Sequence, residues 1–226
     1  FKYEPIRWRV LSVNEEGQAL LISDAALDDQ MYNNWLENVS WEGCTLNTWM
    51  QNTFLKDAFD VSEQNAIVER ESKVFVMQES EVSGTEDAER YGFVDDDTRK
   101  CKSTDYTRAM GSMNGTEIDD MENCRWWIRT PGDTETSAIG VFPDGRILRV
   151  SSGSWVREPV IGVRPALLLD LSADCYLYDG TLNSEEAAIV SGKCGENVAF
   201  TYNKGTLTIA GEGEIFDYRN DSEEDP

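Results

Sequence analysis

CRWWIRTPGD, residues 124–133, decides how this chain is read. Two adjacent tryptophans precede an isoleucine, an arginine, a threonine and a Pro-Gly pair. Successive residues of a strand point to opposite faces. Trp126 and Trp127 therefore put a large ring on each side of one strand, which implies burial between two layers. An aromatic platform for a ligand is the competing reading. Pro131 fixes φ and Gly132 tolerates a left-handed φ, so the strand ends there and the chain turns. Arg129 lies further along the same strand. With Arg164, in GVRPA (162–166), it is expected to brace the scaffold through a carboxylate beneath the loops. Direct ligand contact is the alternative for both.

Downstream of this stretch the chain stays strand-like: AIGVF (138–142), RILRV (146–150) and VIGVRPALLLDL (160–171). PDG (143–145) and SSGS (151–154) separate them with turn chemistry. At the other end, IRWRVLSV (6–13) and QALLISD (18–24) read as a hairpin turning at Asn14 and Gly17. Helices lie between. In TLNTWMQNTFLKDAF (45–59), Leu46, Trp49, Met50, Phe54 and Phe59 recur at helical steps, with Thr45 as the N-cap. SEQNAIVE (62–69) reads as a second helix capped by Ser62, and KVFVM (73–77) as a short strand. TEDAERYG (85–92) and TDYTRAMG (104–111) read as short helices ending at glycine. Asp95–Asp97 reads as solvated loop. The order is α+β, with two main helices and a twisted, mostly antiparallel sheet, not a βαβ repeat.

Residues 1–171 thus form one domain. Residues 172–192 read as a connector, with a short helix at SEEAAIV (184–190). Residues 193–218 hold a β-hairpin, VAFTY and TLTIAG around Asn-Lys-Gly, and 219–226 is a polar tail. A lone hairpin is too small to be stable. It is expected either to dock on the first domain or to open a further module.

Composition narrows the function classes. The 226 residues carry 43 acidic and 20 basic side chains, a net charge of −23. That charge repels nucleic acid and anionic membranes, so neither is expected as a partner. No apolar run is long enough to insert in a membrane. No leader segment is visible, so the chain is expected to be cytosolic or a piece of a longer secreted protein. Histidine is absent and no cysteines stand as CxxC. Cys/His zinc sites, Ser-His-Asp triads and Cys-His nucleophiles are thereby set aside. Asp95–Asp97 and Glu117–Asp120 form no D-x-D-x-D-G loop; a weakly held hard cation is the alternative there to solvated loop, and no metal or cofactor is expected. The odd count of five cysteines leaves at least one thiol free or partnered elsewhere.

The candidate binding face is Asp133–Ile161. Its turns are expected to bring together Thr134, Glu135, Thr136, Phe142, Arg146, Arg149, Trp155, Arg157 and Glu158. Trp155 falls in SSGSWVRE, a setting in which a ring is hard to bury, and Arg157 follows two residues on. Exposed Trp and Arg dominate interface energetics. A hairpin edge with the ring folded back on the domain is the equal alternative.

WWIRTPGD, FPDGRI and GVRPALLLDL together resemble the W-W-L-R-S-P-G … D-G … G-V-R-P-A-L run of a family of surface domains abundant in gut Firmicutes. WEGCTLNTWMQNTFLKDAF (41–59) resembles that family's helix, W-E-x-C-x-L-R-x-W-L-N. YEPIRWRVLSV and LLISDAALD fit its leading strands, so the resemblance covers about 1–171. One departure is that VERES (68–72) runs directly into KVFVM, without the family's Gly/Asn-rich insert. The resemblance implies a C-type-lectin-like fold, shared with the variable proteins of diversity-generating retroelements and with formylglycine-generating enzymes. In the variable proteins the stretch from the tryptophan strand to G-V-R-P-A contacts the ligand. KCGENVAFTYNKGTLTIAGEGEIFDY (193–218) resembles a β-module found beside leucine-rich repeats of bacterial surface proteins.

Calcium-dependent lectins of this fold carry Glu-Pro-Asn or Gln-Pro-Asp and Trp-Asn-Asp. Here Glu158-Pro159-Val160 lacks the third oxygen and Trp-Asn-Asp is absent. Formylglycine-generating enzymes use a reactive cysteine pair. Cys101 and Cys124 stand in acidic surroundings that disfavour a thiolate, so a disulfide between them is the simpler expectation. Cys175 with Cys194 is a second candidate bridge, which leaves Cys44 over and buried. The expected function is non-catalytic adhesion at a bacterial cell surface, with residues 133–161 displayed to a protein or glycan. An enzyme on the same fold and a structural spacer are the rivals.

Overall fold

The computed structural model describes residues 6–37, 40–116, 121–134, 136–147, 154–173, 190–195, 198–203 and 206–211; at 154–155 and from 190 onward it describes the backbone alone. The chain divides into two compact units, Phe1–Asp170 and Leu171–Pro226.

In the first unit, β1 (Trp8–Val13) and β2 (Gln18–Ser23) form the expected antiparallel hairpin, with a register shift between Val10 and Ser12. Gly17, at φ 74°, supplies the left-handed turn residue. Two short strands follow, β3 (Ala25–Ala26) and β4 (Asp28–Asp29). The main helical stretch comprises α1 (Thr45–Trp49), a π turn (Met50–Phe54) and α2 (Leu55–Ala58). Its cap is Cys44, not Thr45. Cys44 is extended at φ −74°, ψ 154°, and its Sγ accepts the Asn47 N–H at 3.3 Å. Leu46, Met50 and Phe54 are all buried and recur every fourth residue. Steps of four run ahead of a 3.6-residue turn, and the wider π turn takes that drift back.

The next helix, α3 (Val61–Ala66), is capped by Asp60 and not by Ser62. Asp60 and Glu63 make a reciprocal capping box of 2.8 and 2.7 Å. The expected helix stops early, because Ile67 and Val68 leave it as β5 (Ile67–Val68) to pair with a later strand. KVFVM contributes β6 (Val74–Phe75), and Val74 to Met77 are fully buried. Four short helices follow: α4 (Glu79–Val82), α5 (Glu86–Arg90), α6 (Asp96–Arg99) and α7 (Asp105–Met110). The α7 helix ends at Gly111, whose φ is 97°. Asp95 to Asp97, expected as loop, instead start a helix. Asp95 accepts the Thr98 N–H as cap, while all three acids stay exposed.

Strand β7 (Lys102–Ser103) pairs in parallel with β3. Then come β8 (Trp126–Pro131), β9 (Ser137–Val141), β10 (Ser154–Trp155), β11 (Gly162–Val163) and β12 (Ala166–Asp170). VIGVRPALLLDL is not one strand. It breaks at Arg164-Pro165, and its two halves are interior strands of two different sheets. One sheet runs β1-β2-β12-β5, with β6 also on β12; the other runs β10-β9-β8-β11-β4. Proline lacks the N–H a continuing ladder needs, which explains the break. The pairs are antiparallel except β11 with β8 and β3 with β7. Of RILRV, Ile147 bridges Val141, and residues 148–150 lie outside the described residues.

The second unit holds an antiparallel sheet of β13 (Val190–Gly195), β14 (Val198–Asn203) and β15 (Thr206–Gly211). The expected hairpin is β14 with β15. The sequence assigned residues 190–192 to a connector, but they pair with Thr201, Tyr202 and Phe200 and form a third strand. The helix expected at 184–190 is replaced by strand at Val190, and its earlier residues lie outside the described residues, as does the 219–226 tail.

Candidate ligand-binding face

Trp126 and Trp127 are both fully buried. The Trp126 indole N–H donates to the Arg99 carbonyl at 3.1 Å, and that of Trp127 to the Gln30 carbonyl at 2.7 Å. Neighbouring rings on one strand thus anchor two separate segments. Tyr32 packs edge-on against Trp127 at 5.6 Å, and its hydroxyl donates to the Arg129 carbonyl at 3.0 Å. Burial raises the Tyr32 phenol far above its ordinary range.

Arg129 is 5% exposed and faces Glu81 at 3.4 Å and Glu71 at 3.5 Å. Glu81 also takes Arg70 at 2.9 Å and caps α4 through the Gln78 N–H. Arg129 therefore braces the strand through carboxylates. Arg164 is buried but works differently from the carboxylate pairing expected of it. Its Nε donates to the Ser23 carbonyl at 2.9 Å, and its guanidinium lies 5.1 Å from the Trp126 ring. Neither arginine is available to a ligand.

Residues 132–137 form a tight knot. Gly132 N–H donates to the Ser137 carbonyl, and a side chain at 132 would run into the Ser137 hydroxyl. Thr134 is exposed, and its hydroxyl donates to Ser137 Oγ at 2.8 Å. Next to this knot, β10 pairs Trp155 with Ser137, and the Val156 N–H reaches the Thr136 carbonyl. The Trp155 side chain, Glu135 and Arg149 lie outside the described residues. Arg157 is exposed and Glu158 half-buried.

Phe142 and Arg146 sit at the other end of β9. By strand rise, about 17 Å separates them from Thr134. Phe142 is half-buried under the Arg125 guanidinium at 3.9 Å, and Arg146 pairs with Asp144 at 2.6 Å. Glu158 acts on Arg125 as a nearby negative charge. Gly145, at φ 86°, abuts the Asp96 backbone so closely that no side chain fits. The expected single patch is therefore two places. Thr134, the Trp155 backbone and Val156 come together, whereas Phe142 and Arg146 belong to a separate turn.

Sequence reasoning missed the segment that completes the first place. Residues 31–37 run beside β10, because the Asn33 N–H donates to the Val156 carbonyl at 2.9 Å. Asn33 is 2% exposed, and its amide also holds the Trp35 carbonyl and the Thr45 N–H. On this fixed turn, Trp35 is 69% exposed and Leu36 46% exposed. The one local signal was Trp35's own setting. In YNNWLEN (32–38) polar Asn33, Asn34, Glu37 and Asn38 surround the ring, but Tyr32, Trp35 and Leu36 also stand at a helical i, i+3, i+4 spacing, so the local pattern points both ways.

Cys101 and Cys124 do come together, since the Cys124 N–H donates to the Cys101 carbonyl at 2.9 Å. They are two free, buried thiols and not the expected disulfide. The neighbouring Cys101 and burial push the Cys124 thiol far up. Cys44 is also free and buried, and burial raises its thiol to about 11. Cys194 is described only as backbone of β13, and Cys175 lies outside the described residues. Among the described residues no cluster of three or more Cys, Asp or Glu forms a metal site, and no helix is long and apolar enough to cross a membrane.

Two sheets joined through one shared run, with short helices packed about them, define an α+β domain. Residues 16–171 match the family described as a domain of unknown function, DUF6273, and the chain belongs to that family. No curated protein and no solved structure matches it.

Proposed function

We propose that this chain is a non-catalytic ligand-binding domain of a bacterial cell-surface protein, built on a C-type-lectin-like fold. It holds a protein or glycan against the edge made by residues 31–37 and 154–158. One observation carries the reading: Trp35 stands 69% exposed on a turn that buried Asn33 fixes in place. A ring standing in solvent on a fixed backbone costs apolar hydration without any packing return, and its backbone is already ordered for binding. Arg157, exposed one residue beyond the Asn33–Val156 bond, adds a second interface-prone side chain. The surface location rests on the family resemblance of the tryptophan strand and the second unit.

Glycan and protein arrays probed with the full chain test this. Trp35→Ala is expected to weaken the captured ligand about 30-fold or more, as a central aromatic does. The Trp155→Ala/Arg157→Ala double variant is expected to act in the same direction. Binding unchanged by both moves the site elsewhere, and no binding on either array favours a spacer. The neighbouring free cysteines Cys101 and Cys124 favour the enzyme reading as a second possibility. Ready alkylation of both by iodoacetamide in the folded protein would support it.

A further inference from the structure

Asp29 is the least accommodated charge among the described residues. It lies on β4, is 6% exposed, and neither carboxylate oxygen has a hydrogen-bond partner. The Ser112 hydroxyl is buried beside it without a formed bond. An ionised carboxylate away from water needs donors or a cation, and this one has neither. Among the described residues no lysine or arginine forms an ion pair with it.

The groups around it offer no relief. On its own strand Asp28 is a second half-buried acid, whose Oδ1 is taken by the Asp29 N–H at 2.7 Å and by Gln30 at 3.2 Å. Ahead of β8, the Cys124 thiol lies near Asp29, whose negative charge raises it, and a neutral thiol offers a carboxylate no countercharge. Arg125, next in the chain, is turned onto the Phe142 ring. On α7, Asp105 and Arg108 pair with each other at the surface, and Tyr106 is exposed. Opposite Asp29 on β11 is Gly162, which has no side chain to offer.

Its position gives the mismatch a consequence. Strand β4 is the middle of a ladder that ties residues 27–33 to residues 156–163. Leu27 N–H bonds to the Val163 carbonyl at 2.9 Å, Gln30 to Ile161 at 3.2 Å and Asn33 to Val156 at 2.9 Å. The same ladder positions Trp35 beside β10. Water can reach an ionised Asp29 only if this ladder parts.

We propose that Asp29 is a proton-controlled latch on the candidate binding edge: neutral, it lets residues 27–33 and 156–163 stay joined; ionised, it loosens them. The latch governs ligand capture only through the binding face proposed above, but the ladder itself opens or holds with no ligand present. Burial lifts the Asp29 carboxyl from an ordinary 3.8 to about 6; the Ser112 hydroxyl works against the rise and Asp28 adds to it. A carboxyl raised in the fold keeps its full stability below the unfolded value and loses it as pH rises through the folded one. The ladder is thus tight near pH 4 and loosened above about pH 6.

Amide hydrogen exchange on the full, ligand-free chain at pH 5 and pH 8, corrected for the chemical exchange rate, tests the latch. In wild type, protection at Leu27, Gln30 and Asn33 is expected to fall about tenfold, while β2 and β12 hold. Asp29→Asn, which stays neutral, is expected to keep protection at both pH values. Equal pH profiles in the two proteins overturn the proposal. Should the variant not fold, carbon-13 NMR of the wild-type carboxyl decides. Titration near 6 supports the latch, and titration near the ordinary value overturns it. Because no ligand is used, failure here is separate from failure of the binding reading.

Discussion

The strand at 126–131 and the turn at 31–37 each display tryptophan, and they use it in opposite ways. Trp126 and Trp127 are sealed, and each indole N–H finds a backbone carbonyl. Trp35 stands in solvent on a turn anchored by an asparagine beneath it. The contrast teaches that a conspicuous aromatic pair marks structure, while the solitary ring among polar residues marks the surface on offer. Burying a ring stabilises the fold by its apolar area, and exposing one keeps that area for a partner.

The contrast breaks if both kinds of tryptophan respond alike to truncation. Trp127→Ala carries the largest expected effect. It empties a fully buried site and orphans the Gln30 carbonyl, so urea unfolding should show a loss of about 3–5 kcal/mol. Loss below about 1 kcal/mol would mean that the strand is not the anchor argued here. Glu81→Ala comes next. It leaves Arg129 buried without its closest carboxylate and also removes the Arg70 pair, for an expected loss of about 3 kcal/mol. Replacing the pair with Arg129→Met and Glu81→Leu together should recover part of it, which would separate an unpaired charge from lost packing. Trp35→Ala is the smallest. Its stability should stay within about 0.5 kcal/mol of wild type, as for an ordinary surface change. A loss of about 2 kcal/mol or more would mean that the ring packs inward in solution and the face is elsewhere.

Much of the first unit's fold was legible because its signals are local. The β1–β2 hairpin, the PDG turn and the helix ends at glycine each follow from a few residues whose backbone preferences agree. Adjacent tryptophans give away a doubly covered strand by alternation alone. Other features depended on distant partners. Thr45 suits a helix cap better than Cys44 does, and only the packing of Tyr32 onto the start of α1, where the Leu46 N–H bonds the Tyr32 carbonyl, fixes where the chain turns in. VIGVRPALLLDL has one uniform apolar pattern, yet serves two sheets. The hydrophobic content cannot reveal which neighbours a strand will find. The candidate face was half legible. Thr134, Trp155 and Arg157 are close in sequence and the fold keeps their backbones near one another. Trp35 joins them across more than a hundred residues through one backbone hydrogen bond, which no local pattern records.

The short link Arg164-Pro165 joins β11, an interior strand of one sheet, to β12, an interior strand of the other. Both linking residues are themselves tied to Ser23, whose N–H takes the Pro165 carbonyl at 2.8 Å and whose carbonyl takes Arg164. Neither sheet can let go of its linked strand without pulling on the other within two residues. The two sheets are therefore coupled through this link, while the edge pairing of β4 on β11 lies outside it and can open separately. The two sheets should melt as a single cooperative transition, with tryptophan fluorescence, which Trp8 reports from one sheet and Trp126 and Trp127 from the other, changing together with the circular dichroism.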